Sequence, residues 1–123
     1  MLSRQQMFEY AQHLKVFLNS NNFSSESVML FYDQVCSYFQ LQDDHFYARI
    51  RSAHLNDPSA LKRIDYFESD LKELKVKLFA LDESARHKAS GIRKAVEKQW
   101  NAMIGEIKTR IQQEEHLLYP LVA

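Results

Sequence analysis

The sequence predicts an all-α protein: an antiparallel up-down-up-down four-helix bundle that occupies residues 1–123 as a single domain. Two observations predict this class. Only two glycines and two prolines occur in 123 residues, so turns are few and the elements between them are long. Apolar residues make up 46% of the chain and recur every three or four positions through four segments, as they do along the buried stripe of a helix.

The first helix is expected over residues 3–19, and the second is expected to start near Ser24 and to continue to about Leu55. Ser24 is a good N-cap residue. The break that follows is Asn56-Asp57-Pro58, where Asp57 can cap a new helix and Pro58 suits its first position. The apolar stripes of these two helices are Met7, Ala11, Leu14 and Leu18, then Val28, Tyr32, Val35, Phe39, Phe46 and Ala53.

The third helix has the most regular pattern, and the fourth ends around Tyr119-Pro120. Residues 82–91 between them are either a loop or the start of a long fourth helix. Short connections throughout favour antiparallel neighbours. The stripes are Ala60, Ile64, Phe67, Leu71, Leu74, Leu78 and Leu81, then Ile92, Val96, Met103, Ile107, Ile111, Leu118 and Leu121.

Charge and cysteine content restrict the classes of partner and compartment. Lys plus Arg and Asp plus Glu both number 16, which gives no electrostatic argument for direct binding to nucleic acid or to an anionic membrane. No run of about 18 apolar residues is present, so no membrane span is expected. The single cysteine, Cys36, cannot form an internal disulfide, which favours a cytoplasmic protein.

One short motif occurs twice, about seventy residues apart. Asp43-Asp44-His45 and Glu114-Glu115-His116 are each two carboxylates followed by a histidine, and a large apolar residue comes next in both cases. Both copies lie in segments of helical periodicity. They therefore suggest two matching helices of a pseudo-symmetric bundle, at places where such bundles often build metal or polar sites.

Two carboxylates of this motif lie within apolar stripes. Glu114 shares a face with Ile111 and Leu118, and Asp43 is expected to point inward or to a seam between helices. Because a buried carboxylate without a partner is costly, Glu114 is expected to form a buried polar pair with Arg110, one turn earlier. Two interpretations stay open here: a metal or partner site in the bundle core, or a structural seam in which the carboxylates are paired or tilt to solvent.

A metal site is not predicted, and neither is a catalytic or cofactor site. A di-iron carboxylate bundle needs Glu-x-x-His on two helices, but Gln42 precedes His45 by three residues and Gln113 precedes His116 by three. The sequence also has no phosphate-binding glycine loop and no zinc-ligand spacing. We therefore expect a protein without enzymatic activity and without a cofactor.

The second helix is dense in aromatic residues, which predicts a second packed face. Some of these rings must contact a neighbouring helix or a partner protein. Tyrosine and arginine are enriched at interface hot spots, so His45, Tyr47 and Arg49 are the candidate partner-binding residues. The alternative is ordinary packing between helix ends. A homodimer is one assembly that such a surface can form.

The same segments resemble the Rsd/AlgQ family of bacterial anti-sigma regulators. Helix two reads Phe31-x6-Tyr38-x8-Tyr47-Ala48-Arg49-Ile50, which looks like the second conserved helix of that family. Residues 110–118 are similar to the family's Arg-Phe-x-Leu-Glu-Asp-x-Leu-Ile motif. The resemblance implies a non-enzymatic, protein-binding transcription regulator that sequesters the primary sigma subunit of RNA polymerase.

A second resemblance is to hemerythrin-like four-helix bundles. Their last helix commonly reads His-x3-Glu-Glu-x-x-Leu-Phe/Tyr-Pro, which Glu114 to Pro120 matches well. However, Arg110 and Phe39 stand where two metal-binding histidines belong, and His13 matches the histidine of the first helix. This resemblance implies the alternative function, a hemerythrin-like metal- or oxygen-binding bundle, either intact or degenerate through loss of its metal ligands.

Overall fold

The computed structural model describes residues 3–19, 25–86 and 93–122, and the part that it describes consists of helices joined by short turns, without a strand. The prediction of an all-α protein is therefore confirmed. The α-helices are α1 (Arg4–Asn19), α2 (Ser25–Gln40), α3 (Asp44–Ala53), α4 (Pro58–Arg86) and α5 (Arg93–Gln113). A π-helix (Glu114–Leu118) and a 3₁₀ helix (Tyr119–Leu121) follow α5 directly.

The prediction of one continuous second helix is wrong, because the helix is interrupted between α2 and α3. The last turn of α2 tightens, with Gln42 N–H bonded to Phe39 O at 3.0 Å. Asp43 then caps α3 by accepting a hydrogen bond from Phe46 N–H at 2.9 Å. The cap satisfies an amide that would otherwise lack a helical partner, and it allows the side chain of Gln42 to turn into the core.

The fourth predicted helix also differs at its end, where α5 gives way to the π-helix and the 3₁₀ helix. In the segment 82–91, which the sequence leaves open as loop or helix, α4 continues as far as Arg86. The remainder of the predicted uncertain segment, from position 87 to 91, lies outside the described residues, as does Ile92. Ser24, the predicted N-cap of helix two, also lies outside them.

The helices enclose one hydrophobic core to which all five α-helices contribute. α1 and α4 each pack against both α2 and α5, and α3 packs against α4. The predicted apolar stripes of α1 and α4 are buried, including Leu74 at the middle of the third predicted helix. In the part of the chain that the structure describes, no helix is both long enough and apolar enough to cross a membrane.

Candidate functional site

A cluster of hydrogen-bonded polar side chains lies inside the apolar core, where α2, α4 and α5 meet. We call this cluster the polar core. It is built from the end of α2 and the break after it, from α3 and α4, and from α5 with its π and 3₁₀ extensions. Its members are Tyr38, Gln42, Tyr47, Asp70, Arg110, Glu114 and Tyr119.

Arg110 is the centre of the polar core and holds two carboxylates. Its Nε donates to Glu114 Oε2 at 3.1 Å, and its Nη1 donates to Asp70 Oδ2 at 2.7 Å. The pair that the sequence predicts is thus in contact, and both partners are buried, with 2% of the Arg110 side chain and 0% of the Glu114 side chain exposed. Asp70 reaches the protein surface. One guanidinium between two carboxylates leaves this trio with a net charge of −1.

Aromatic rings hold the guanidinium of Arg110 in place. Its central carbon lies 5.4 Å from the ring centroid of Phe67 and 6.0 Å from that of Phe39. The Nη2 atom also donates to the backbone carbonyl oxygen of Phe67 at 3.1 Å. Cation–π contact is strongest when the cation is desolvated, so these rings help to offset the cost of burying the charge.

Gln42 connects both ends of the polar core. Its Nε2 donates to Glu114 Oε2 at 2.5 Å and to the Tyr119 hydroxyl at 3.0 Å. Its Oε1 accepts from the Tyr47 hydroxyl at 2.7 Å and from Arg110 Nη2 at 3.1 Å. A neutral amide that both donates and accepts can join an anion to a cation without adding charge to the core.

The carboxylate of Glu114 is surrounded by donors. Besides Arg110 and Gln42, the hydroxyl of Tyr38 donates to Oε1 at 2.6 Å. Burial raises the pKa of Glu114 above its ordinary value, while Arg110, Tyr38 and Gln42 oppose that rise. Burial, reinforced by the charge of Glu114, raises the pKa of Tyr38 and of Tyr119 well above the ordinary value, so both phenols stay protonated as donors.

For Arg110, the balance of these effects favours the charged form. Burial alone would lower the pKa of its guanidinium, but Glu114, Tyr47 and Asp70 outweigh burial and raise the pKa. The centre of the molecule therefore holds a permanent cation. Because its guanidinium already pairs with both Glu114 and Asp70, a metal ion could bind these carboxylates only by displacing Arg110.

The π-helix brings Tyr119 into the polar core. Its wider turn is closed by a bond from the Tyr119 N–H to the Glu114 carbonyl oxygen, five residues earlier. The Tyr119 hydroxyl consequently reaches the hydroxyl of Tyr38 and accepts a hydrogen bond from Nε2 of Gln42. The Tyr119 ring packs edge-on against Phe8 of α1, with centroids 5.6 Å apart. Short π-helices are frequent at functional sites, and here the wide turn positions a hydrogen-bonding group.

Two predictions about α3 are wrong. Asp43, expected to point inward or to a seam, is exposed, because its carboxylate is used to cap α3 at the surface. Tyr47, expected to contact a partner, is only 1% exposed, because its ring belongs to the core and its hydroxyl belongs to the polar core. His45 and Arg49 do lie at the surface of α3, one turn apart. The structure does not bring these two residues to Arg110 and Glu114.

Sequence reasoning missed Gln42, Asp70, Tyr38 and Tyr119 as members of the polar core. For Asp70 a signal was present, because it lies three residues after Phe67 and four before Leu74, at the edge of the buried stripe. For the two tyrosines no local signal distinguishes a hydroxyl that finds a buried partner from one at the surface.

Comparison with known proteins finds no match for this chain among protein-family models, curated proteins or solved structures. Among the residues that the structure describes, no group of three or more His, Cys, Asp or Glu side chains is placed to hold a metal ion.

Proposed function

We propose that this chain is a non-enzymatic, protein-binding regulator built as an up-down-up-down four-helix bundle. The observation that carries the proposal is the guanidinium of Arg110, which occupies the centre of the bundle between Glu114 and Asp70. Because these side chains satisfy one another, the centre serves the stability of the fold, and the proposed activity is assigned to the exposed surface.

The order of contacts between helices supports the antiparallel arrangement. Arg4, at the start of α1, donates to the carbonyl oxygen of Val122, whereas Lys15, near the end of α1, pairs with Glu115. Residue numbers therefore increase along α1 in the direction in which they decrease along the C-terminal segment, as in antiparallel neighbours. The contacts between α4 and α5 have the same reversed order, in the pairs Asp70–Arg110 and Lys77–Glu106.

The proposed contact surface is the exposed side of α3, around His45 and Arg49. One side of this short helix is buried through Phe46 and Ile50, which fixes its orientation on the bundle. Its other side presents an imidazole and a guanidinium one turn apart. In keeping with the resemblance to anti-sigma regulators, we propose the primary sigma subunit of RNA polymerase as the partner and the cytoplasm as the compartment.

We expect the double substitution His45→Ala/Arg49→Ala to weaken binding to a purified primary sigma subunit by at least about tenfold, measured by isothermal titration calorimetry. Loss of interfacial charged and aromatic contacts typically costs more than 1 kcal/mol at a hot spot. The control is Lys98→Ala/His116→Ala, which removes one cation and one imidazole from exposed positions on the C-terminal segment. Equal affinity of both double variants, or no binding by the unchanged protein, would contradict the proposal.

For the metal-binding alternative, we expect only substoichiometric iron, manganese and zinc in protein purified from metal-supplemented medium. The reason is the charge of Arg110, together with Phe39 packed against it, at the positions that correspond to histidine ligands in hemerythrin-like bundles. Elemental analysis by mass spectrometry checks this. About two metal ions per chain, as a di-iron bundle holds, would favour the hemerythrin-like function instead.

A further inference from the structure

Helix α4 has an exposed face with an apolar centre and oppositely charged ends. Lys72, Val76, Phe79 and Glu83 are all exposed, and they follow one another at spacings of four, three and four residues. These spacings place the four side chains on one side of the helix. We call this side the outer face of α4. Its two central residues, Val76 and Phe79, are 70% and 57% exposed.

The outer face is separate from the two sides of α4 that pack within the chain. The core side is buried through Leu74 and Leu78. The side toward α5 carries Lys77, which pairs with Glu106 of that helix. Packing of the described chain therefore does not account for the apolar centre of the outer face, and adjacent exposed apolar side chains are typical of an interaction surface.

The spacing of the outer face is that of the contact seam between two helices of a coiled coil. In a symmetric antiparallel pair, a single two-fold axis relates every residue of one helix to those of its copy. An axis midway between positions 77 and 78 places Val76 opposite Phe79 of the second copy. The same axis places Lys72 opposite Glu83 of the second copy. One axis thus satisfies all four positions of the outer face.

The charges at the two ends of the outer face favour a second copy of the chain as the occupant. Lys72 stands at one end and Glu83 at the other, both exposed. Among the described residues, neither of them forms an ion pair within the chain. A uniformly charged occupant would be attracted at one end and repelled at the other. An antiparallel second copy is attracted at both ends, whereas a parallel copy would place like charges together.

We propose that the outer face of α4 binds a second copy of this chain, so that two antiparallel α4 helices form a symmetric dimer. Val76 and Phe79 of the two copies form its centre, and two pairs of Lys72 with Glu83 flank that centre. The contact spans about 17 Å of each helix, which is small for a specific interface. We therefore expect a dissociation constant of about 1–100 µM. This inference is independent of the proposed function, because it assigns no other partner.

The first test measures self-association by sedimentation velocity at concentrations from about 1 to 500 µM. We expect the unchanged protein to convert from monomer to dimer over this range. Phe79→Ser should raise the dissociation constant at least about tenfold, because the ring is lost from both halves of the interface. Tyr66→Ser is the matched control, since Tyr66 is a ring of α4 that is 55% exposed and lies outside the outer face. It should leave the constant unchanged.

Two results of this first test would overturn the inference. One is a monomer at every concentration. The other is an equal effect of Phe79→Ser and Tyr66→Ser, which would show that the copies associate through a different surface. Far-UV circular dichroism of each variant checks that the helices are retained.

The second test exchanges the two charges. Lys72→Glu and Glu83→Lys should each weaken the dimer at least about tenfold at low ionic strength, because two repulsive contacts replace two attractive ones. The double variant Lys72→Glu/Glu83→Lys should regain the affinity of the unchanged protein. An equimolar mixture of the two single variants should form a heterodimer, since every contact in it again joins opposite charges. Lys62→Glu makes the same change at an exposed position of α4 outside the outer face and should have no effect.

The second test also separates a second copy from other occupants of the outer face. If neither the double variant nor the mixture regains association, the copies do not pair in the antiparallel register, and the inference is overturned. If the protein stays monomeric and Phe79→Ser abolishes binding of the sigma subunit, the outer face belongs to that partner, and the inference is overturned as well. Recovery in both the double variant and the mixture would establish the dimer, whether or not a sigma subunit binds.

Discussion

Replacing Gln42 by leucine is expected to destabilise the folded protein by roughly 3–5 kcal/mol, although leucine has a similar volume and the site is buried. The amide of Gln42 bonds to Glu114, Tyr119, Tyr47 and Arg110, and each of these groups would lose one partner. Two of them are charged, so the cost of leaving them under-bonded away from water is high.

Urea denaturation followed by circular dichroism and by the fluorescence of the buried Trp100 measures this loss. Gln40→Leu is the control, because Gln40 is the exposed last residue of α2, and the same change there should alter the free energy of unfolding by less than about 0.5 kcal/mol. Similar small effects at both positions would mean that the polar core reorganises around the missing amide.

The apolar periodicity of the sequence predicts the buried faces of α1 and α4, but it places the exposed Ala53 in a buried stripe and cannot detect the break between α2 and α3. Phe39 and Phe46 are seven residues apart, which is two helical turns, so their spacing remains in phase across the break. Both rings are buried, as a continuous helix would also require. The available signal was Asp43 itself, a good N-cap residue followed by a further acidic residue in the first turn.

The Arg110–Glu114 contact could be predicted because both residues lie on one helix, one turn apart. The rest of the polar core could not, because its members lie far apart in sequence. Tyr47 meets Arg110 across 63 positions, and Tyr38 meets Glu114 across 76. Burial of a tyrosine requires a hydrogen-bond partner for its hydroxyl, and for Tyr47 that partner is distant in sequence. The sequence therefore predicts an interface role for Tyr47 and not a buried one.

The π-helix depends on tertiary structure in the same way. The sequence from Glu114 to Leu118 continues the helical pattern of α5, and no glycine or proline interrupts it. In the observed wide turn, the hydroxyl of Tyr119 contacts the hydroxyl of Tyr38 and Nε2 of Gln42. Local helix propensity has little influence on the type of turn where several buried hydrogen bonds depend on the turn geometry.

Arg110→Met is expected to destabilise the protein by roughly 3–5 kcal/mol, because it leaves the fully buried Glu114 without a cation. Glu114→Leu should cost less, because Arg110 would keep Asp70 as a charged partner at 2.7 Å. The double variant removes both charges and should be more stable than the sum of the two single losses predicts. Urea denaturation of all four proteins gives the coupling energy, which we expect to exceed about 1 kcal/mol.

The ion pair of Lys77 and Glu106 provides the control double-mutant cycle for this measurement. It also joins α-helical residues through one ion pair, at 3.3 Å, but its side chains are 55% and 44% exposed. Coupling there should stay below about 1 kcal/mol, since water screens the charges and the long side chains lose freedom when they pair. If the coupling between Arg110 and Glu114 were equally small, the two charges would not stabilise each other. The view that an internal arginine occupies the centre of the bundle as a structural cation would then be wrong.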